Sequence, residues 1–117
     1  MLETKRIADH AERYGIPMAL HYAGSPVGFM ANMHLAAALP SFVAAEHHGL
    51  DLPYWRELVT GLAPDYLDGG YVRVPESPGL GVELDLAVVE ANLRTPGTAF
   101  LPTEAWDLPK LGSWVPR

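Results

Sequence analysis

Two side chains that can exchange protons, His21 and Glu46, each follow a short apolar stretch of the sequence. The first stretch, 16–20, and the second, 42–45, are both typical of strands buried on two faces. The C-terminal ends of neighbouring parallel strands lie about 4.8 Å apart, so both side chains can face one pocket. An imidazole beside a carboxylate is a common arrangement for proton transfer. The same spacing also fits a buried polar contact without a catalytic role, and both interpretations stay open on spacing alone.

The other four histidines are weaker candidates for chemistry. Consecutive residues of a strand point to opposite faces, so Glu46, His47 and His48 cannot bind one ion without a turn. We interpret His47 and His48 as solvated loop residues, His34 as a core or interface residue, and His10 as a solvated residue. The chain has no Cys, which excludes disulfides and thiolate metal sites. From the residues alone, these histidines therefore give only a weak indication of metal binding.

The composition is that of one small globular domain. Hydrophobic residues make up 49% of the 117 positions and charged residues 19%. Eight Lys and Arg against fourteen Asp and Glu give a formal net charge of −6, so we expect no binding to nucleic acid or to a membrane. The stretch 15–45 has no charged side chain, but its prolines would break a membrane-spanning helix. No secretory signal is apparent at the start, and we expect a cytoplasmic location.

The elements that would position the two candidate residues alternate between helix and strand. Helical spacing of apolar residues predicts a first helix that ends near Gly15. Ser25 and Pro26 suit the cap and first position of a second helix, which would run to Leu39 and is apolar nearly all round. Helix–strand–helix–strand is the order of parallel β/α units. Two parallel strands have unpaired edges, so this unit needs neighbouring strands.

The chain divides into three parts on this interpretation. Residues 1–49 form the β/α units. Residues 50–94 are expected to contain a short helix over 53–60, a hairpin that turns at 68–70, and a helix capped by Asp85. Residues 95–117 are expected to be an extended tail that contains proline and tryptophan.

Several motifs, in order between residues 3 and 93, carry a family resemblance. They are Tyr14–His21, Gly24–Gly28, His34–Pro40, Phe42–Glu46, Asp68–Tyr71 and Pro78–Leu84. In combination they resemble the C-terminal end of the mandelate racemase/muconate lactonizing enzyme branch of the enolase superfamily. Within that branch, the chain is most similar in character to acid-sugar dehydratases, such as gluconate and galactonate dehydratases.

The resemblance implies an α/β fold: the C-terminal portion of a modified TIM (β/α) barrel, with its last two strands and helices. A C-terminal extension with a small hairpin and a helix would follow. His21 then matches the general base of the family's His–Asp dyad at the end of the seventh strand. Glu46 matches the carboxyl group, after the eighth strand, that hydrogen-bonds the substrate carboxylate. The dyad Asp, the three carboxylate ligands of Mg²⁺ and a Lys belong to earlier strands, which are not in this chain. The resemblance therefore implies Mg²⁺ for the complete enzyme and no metal or cofactor bound by this chain alone.

The resemblance further implies an enzyme that uses Mg²⁺ to hold the carboxylate of a sugar acid while a base removes the proton beside it. Such an enzyme is an acid-sugar dehydratase (a lyase) or a racemase (an isomerase). We expect this chain to be its C-terminal fragment, inactive in isolation and associated with the missing N-terminal part. The alternative is a non-catalytic, truncated α/β module that is stabilised by homo-oligomerisation.

Overall fold

The first half of the chain alternates helix and strand in a computed structural model that describes residues 1–98. The elements are α1 (Leu2–Glu12), β1 (Met18–Leu20), α2 (Pro26–Ala37) and β2 (Phe42–Ala45). β1 and β2 pair in parallel. β1 is shorter than the predicted strand 16–20 because the N–H of Ile16 donates to the carbonyl of Ala11, at 3.1 Å, and Pro17 has no N–H.

Helix α2 begins at the predicted cap and is apolar on two sides. The Ser25 hydroxyl accepts a hydrogen bond from the N–H of Gly28 at 3.3 Å, and Pro26 occupies the first turn. One side of α2 packs with α1 and β1 in a cluster made of Ala8, Leu20, Leu35, Ala36 and Leu39. The other side packs in a second cluster made of Phe29, Met30, Met33, Trp55 and Tyr66. We call this second set the aromatic cluster.

The sheet formed by β1 and β2 is largely uncovered, which differs from the expectation of strands buried on both faces. Phe42 is 39% exposed and Val43 is 64% exposed. The physical reason is that, within residues 1–98, this sheet has only two strands, so its outer edges and part of its surface meet no other element. The apolar character of β2 is therefore not explained by the contacts of these residues.

The second half consists of short elements joined by turns. They are a 3₁₀ helix (Arg56–Leu58), β3 (Val59–Thr60), β4 (Leu67–Asp68), β5 (Tyr71–Val72), β6 (Glu83–Leu84) and α3 (Leu86–Ala91). β4 and β5 form an antiparallel hairpin at the predicted turn, where Gly69 and Gly70 have φ of 55° and 85°. Positive φ at both central residues is what this tight turn requires. Asp85 accepts from the N–H groups of Ala87 and Val88, both at 3.1 Å, as predicted for the helix cap.

Two expectations for this half differ from the structure. The short helix expected before residue 61 is only three residues long, because Val59 and Thr60 pair with β6 instead. Residues 95–98 form a turn, in which the N–H of Thr98 donates to the carbonyl of Thr95 at 3.3 Å. The rest of the predicted tail, 99–117, lies outside the described residues. In the described part of the chain, no helix has the length and apolarity needed to cross a membrane.

Candidate active site

The structure brings His21 and Glu46 together at the C-terminal ends of β1 and β2. Leu20 is paired with Ala45, and the N–H of Glu46 donates to the carbonyl of Leu20 at 2.8 Å. The residues that follow the two strands are therefore neighbours across the sheet. Nδ1 of His21 is hydrogen-bonded to Oε2 of Glu46. The sequence-based expectation that these two side chains meet agrees with this geometry.

The carboxylate of Glu46 accepts hydrogen bonds at both of its oxygens. Besides His21, the backbone N–H of Tyr22 donates to Oε2 at 3.0 Å, and Nε2 of His48 donates to Oε1 at 2.6 Å. The hydrogen bond from His48 and then the N–H of Tyr22 are the largest causes that lower the pKa of Glu46 below its ordinary value of 4.5. Desolvation opposes them, and His21 adds a smaller lowering effect. Glu46 is therefore an ionised acceptor with three donors.

This network fixes which nitrogen of His21 is basic. An ionised carboxylate can only accept, so Nδ1 of His21 carries the proton that is shared with Glu46. In the neutral ring, Nε2 then holds the free lone pair. The side chain of His21 is 86% exposed, so this basic atom faces open space beyond the strand ends.

Tyr22 connects this network to the start of α2. Its hydroxyl donates to the carbonyl of Ser25 at 2.6 Å, and its ring packs against Phe29 with centroids 6.0 Å apart. A Cβ atom at Gly24 or Gly28 would collide with the Tyr22 hydroxyl. Gly24 and Gly28 therefore leave room for the Tyr22 side chain at the start of α2, while the N–H of Tyr22 is directed at Glu46.

The structure differs from the expectation that His47 is a solvated loop residue. Its ring stacks on Phe29 with centroids 4.0 Å apart and lies 4.9 Å from the ring of Trp55. Nδ1 of His47 donates to the carbonyl of His48 at 3.0 Å, so Nε2 accepts from the hydroxyl of Tyr66, also at 3.0 Å. Burial lowers the pKa of His47, which keeps the ring neutral, and burial raises the pKa of Tyr66.

The cause is that side chains keep alternating after β2 ends. Glu46 and His48 point to one side and contact each other, while His47 points to the other side and joins the aromatic cluster. His48 is 59% exposed but not simply solvated, since it contacts Glu46. The alternation of side chains along a strand could have placed His47 on the face opposite to Glu46 and His48. The aromatic residues of the second half of the chain could then have suggested which side chains His47 contacts.

The remaining histidines agree with their sequence-based interpretation. Nε2 of His34 donates to the carbonyl of Leu80 at 3.2 Å, which joins α2 to the second half of the chain. His10 is exposed and its ring lies 5.3 Å from that of Tyr14. Within residues 1–98, no group of three or more His, Asp or Glu side chains is arranged to hold a metal ion.

A groove in the described residues lies beside this network and does not include its two candidate residues. It has a volume of about 570 Å³ and lies between α2, β2 and the β4–β5 hairpin, with Phe42, Val43 and Tyr71 among its lining residues. Neither His21 nor Glu46 lines the groove, whereas His47 does. The lining is mostly apolar, so we regard the groove as a packing surface and the strand ends as the chemical site.

Comparison with known families matches residues 1–88 to the enolase C-terminal domain-like family. The chain belongs to this family. Its fold is accordingly the mixed α/β fold of enolase C-terminal domain-like proteins, and the resemblance to mandelate racemase/muconate lactonizing enzymes and acid-sugar dehydratases is confirmed.

Individual relatives of this enolase C-terminal domain-like chain agree with the assignment. It is 44% identical over 100 residues to the D-xylonate dehydratase of Haloferax volcanii, and this alignment covers 86% of this chain and 24% of that protein. It is 33% identical over 97 residues to the D-galactonate dehydratase of Ralstonia nicotianae, covering 80% of this chain and 25% of that protein.

A solved structure supports the same conclusion. The mandelate racemase/muconate lactonizing enzyme-like protein from Rubrobacter xylanophilus superposes with a TM-score of 0.74 at 38% sequence identity. The match covers 82% of this chain and 24% of that one. The chain thus spans about a quarter of the length of the relatives that it matches.

Proposed function

We propose that residues 1–49 form the last two β/α units of a modified TIM barrel, and that residues 50–94 pack on them as a C-terminal extension. The parallel pairing of β1 and β2, with α1 and α2 beside them, supports this arrangement. In β/α barrels the catalytic groups lie at the C-terminal ends of the strands, which is where His21 and Glu46 lie. Exposed apolar side chains of β2 are the ones that further barrel strands would cover.

The reaction that this arrangement supports best is removal of the proton beside the carboxylate of a sugar acid. The observation that carries this proposal is the hydrogen bond between His21 and Glu46, which leaves Nε2 of His21 as a free base at the strand ends. In the proposed step Nε2 takes the proton, and the electron pair of the broken C–H bond moves onto the substrate carboxylate as an enediolate. The hydroxyl on the next carbon then leaves as water after it takes a proton from a general acid, for which the His21 imidazolium ion is available, and the resulting enol tautomerises to a 2-keto acid. Return of a proton to the opposite face of the enediolate gives racemisation instead.

Glu46 contributes to this step through His21. The family resemblance gives Glu46 the substrate carboxylate as its hydrogen-bond partner, and that role requires a protonated carboxyl group. Its three donors here favour the ionised form instead. We propose that Glu46 orients His21 and stabilises the imidazolium ion that forms when Nε2 takes the proton.

The complete enzyme is proposed to be a Mg²⁺-dependent acid-sugar dehydratase or racemase, in which this chain associates with the preceding part of the barrel. The dehydratase relatives support the sugar-acid substrate. The family resemblance places the magnesium ligands in that preceding part. The isolated chain is proposed to be inactive.

A chimaera tests this proposal. The chain replaces the matching segment of the Haloferax volcanii D-xylonate dehydratase, and formation of the 2-keto acid from D-xylonate is measured with Mg²⁺. We expect turnover, and we expect His21→Asn to lower it by about 10²–10⁴-fold with an unchanged circular dichroism spectrum. His10→Asn, an exposed histidine of α1, is the matched control. A folded chimaera without turnover, or near-normal turnover in His21→Asn, contradicts the proposal.

A second candidate is a non-catalytic α/β module that covers its strands by homo-oligomerisation. The exposed apolar surface of β2 and the groove beside it favour this alternative. Light scattering combined with denaturing intact-mass analysis separates the two candidates. A discrete oligomer that contains only this chain supports the module, whereas a second, larger polypeptide that copurifies with it supports a barrel completed from two parts.

A further inference from the structure

His48 occupies the oxygen of Glu46 that His21 does not use. Nε2 of His48 lies 2.6 Å from Oε1, while His21 and the N–H of Tyr22 both contact Oε2. A carboxylate that is held at one oxygen can still rotate about its last side-chain bond. A donor at the second oxygen fixes the plane of the group, and with it the direction in which Oε2 faces Nδ1 of His21.

The backbone of His48 is held by the side chain of His47, which points to the opposite face. Its carbonyl accepts the Nδ1–H of His47 at 3.0 Å. The ring of His47 is held in turn by stacking on Phe29 and by the hydroxyl of Tyr66. The position of His48 is therefore set by the packed aromatic cluster, even though the side chain of His48 is exposed.

We propose that His48 is a positioning residue for proton transfer by His21: its Nε2–H holds Oε1 of Glu46, so that Oε2 stays directed at Nδ1 of His21. The proposal deepens the proposed function, since it rests on His21 being the base. The groups that face Glu46 are the side chains of His21 and His48 and the N–H of Tyr22. The lowered pKa of Glu46, for which His48 is the largest cause, agrees with this arrangement.

The test begins with nuclear magnetic resonance on the full chain, which needs no catalysis. Two quantities are measured: the titration midpoint of the Glu46 carboxyl carbon, and the tautomer of His21 from its ring nitrogen shifts. His48→Leu removes the donor and is expected to move the Glu46 midpoint upward and to reduce the Nδ1–H tautomer of neutral His21. His48→Gln presents an amide N–H near the place of Nε2 and should restore most of the His21 tautomer. His10→Leu is the control that should change neither quantity.

The kinetic test uses the chimaera described above. We expect His48→Leu to lower kcat by about ten- to a hundredfold, the effect of a misplaced reacting group, with KM changed less than twofold and kcat partly restored by His48→Gln. An unchanged Glu46 midpoint and His21 tautomer in a folded His48→Leu chain overturns the proposal, as does an unchanged kcat. If the parent chimaera is folded but inactive, the proposed function fails, and the resonance measurements alone decide whether His48 holds Glu46.

Discussion

Two neighbouring histidines, His47 and His48, have opposite environments although they are one residue apart. His48 is exposed and contacts a charged carboxylate, whereas His47 is half-buried and neutral among aromatic rings. The difference comes from strand alternation, which continues beyond the last residue of β2. The roles of these two histidines are therefore determined by the face on which each side chain lies and not by the residue type.

The two faces also differ in what they need from the rest of the protein. The face with His47 is packed within this chain, and its central side chain, Phe29, is 1% exposed. The face with Glu46 and His48 is open, and its contacts are between polar groups. Substitutions on the open face should change chemistry with little effect on folding, and substitutions on the packed face should do the reverse.

The largest expected effect is that of Glu46→Gln on turnover in the chimaera. Gln keeps the shape but loses the charge that stabilises a His21 imidazolium ion, so we expect turnover to fall by about 10²–10⁴-fold. The free energy of unfolding should change much less than turnover, because Gln still accepts hydrogen bonds through its amide oxygen and the side chain is partly exposed. Glu57→Gln, in the exposed 3₁₀ helix, is the matched control. Retention of most of the turnover would instead favour a neutral Glu46 that donates to the substrate carboxylate.

On the packed face, Phe29→Ala should destabilise the chain strongly. Loss of a fully buried aromatic side chain costs about 3–5 kcal/mol, which urea denaturation of the chain measures. Phe42→Ala is the same substitution at an exposed position of β2 and should cost much less. Equal losses in the two variants would contradict the assignment of the core to the aromatic cluster.

Gly28→Ala should have an intermediate effect on the free energy of unfolding. Gly28 lies against Tyr22, which contacts both Phe29 on the packed face and Glu46 on the open face. The new methyl group collides with the Tyr22 hydroxyl, and crowding of this kind costs about 1–3 kcal/mol. Tyr22 also gives its N–H to Glu46, so this contact lies next to the candidate site. Adding Tyr22→Phe removes the colliding oxygen, so the double variant should recover part of the stability in urea denaturation. A double variant less stable than Gly28→Ala would count against this contact.

The smallest expected effect is a pH dependence of the free energy of unfolding. His47 and Glu46 contribute to it in different pH ranges. Burial lowers the pKa of folded His47 below 6.5, so the unfolded chain binds the proton more readily. Its contribution to stability is full above pH 6.5 and is lost as the pH falls from 6.5 through the lowered pKa. Glu46 acts in the same direction, but its contribution is lost only below pH 4.5.

Urea denaturation between pH 7.5 and 5.5 checks the His47 effect. Stability should decline across this range in the parent chain and decline less in His47→Gln, which cannot titrate. Parallel pH profiles for the two chains would show that His47 is not kept neutral by its burial.

Much of the first half could be predicted because its signals are local. The bounds of β2, the cap at Ser25 and the meeting of His21 with Glu46 all follow from periodicity and from residue types at element ends. The hairpin at Gly69 and Gly70 follows from turn chemistry in the same way.

The features that the sequence did not predict depend on contacts between residues that are far apart in the sequence. β3 and β6 are two residues each, too short to show a period, and their pairing joins positions that are far apart in the chain. The place of His47 depends on Tyr66, which comes from another element. The exposure of β2 could not be read from its apolar composition, because composition reports what a strand prefers and not what surrounds it.

Within residues 1–98, the outer edge of β2 pairs with no other strand, and this bears on the order of folding. In the proposed barrel, the last strand pairs with the first, so this contact joins residues with the greatest separation along the polypeptide. Contacts of that kind form slowly, because a long loop must close before any pairing energy is gained. Until then β2 presents unpaired backbone groups beside apolar Phe42 and Val43, a combination that can recruit strands from other molecules. Ring closure is thus expected to be the step at which aggregation competes with folding.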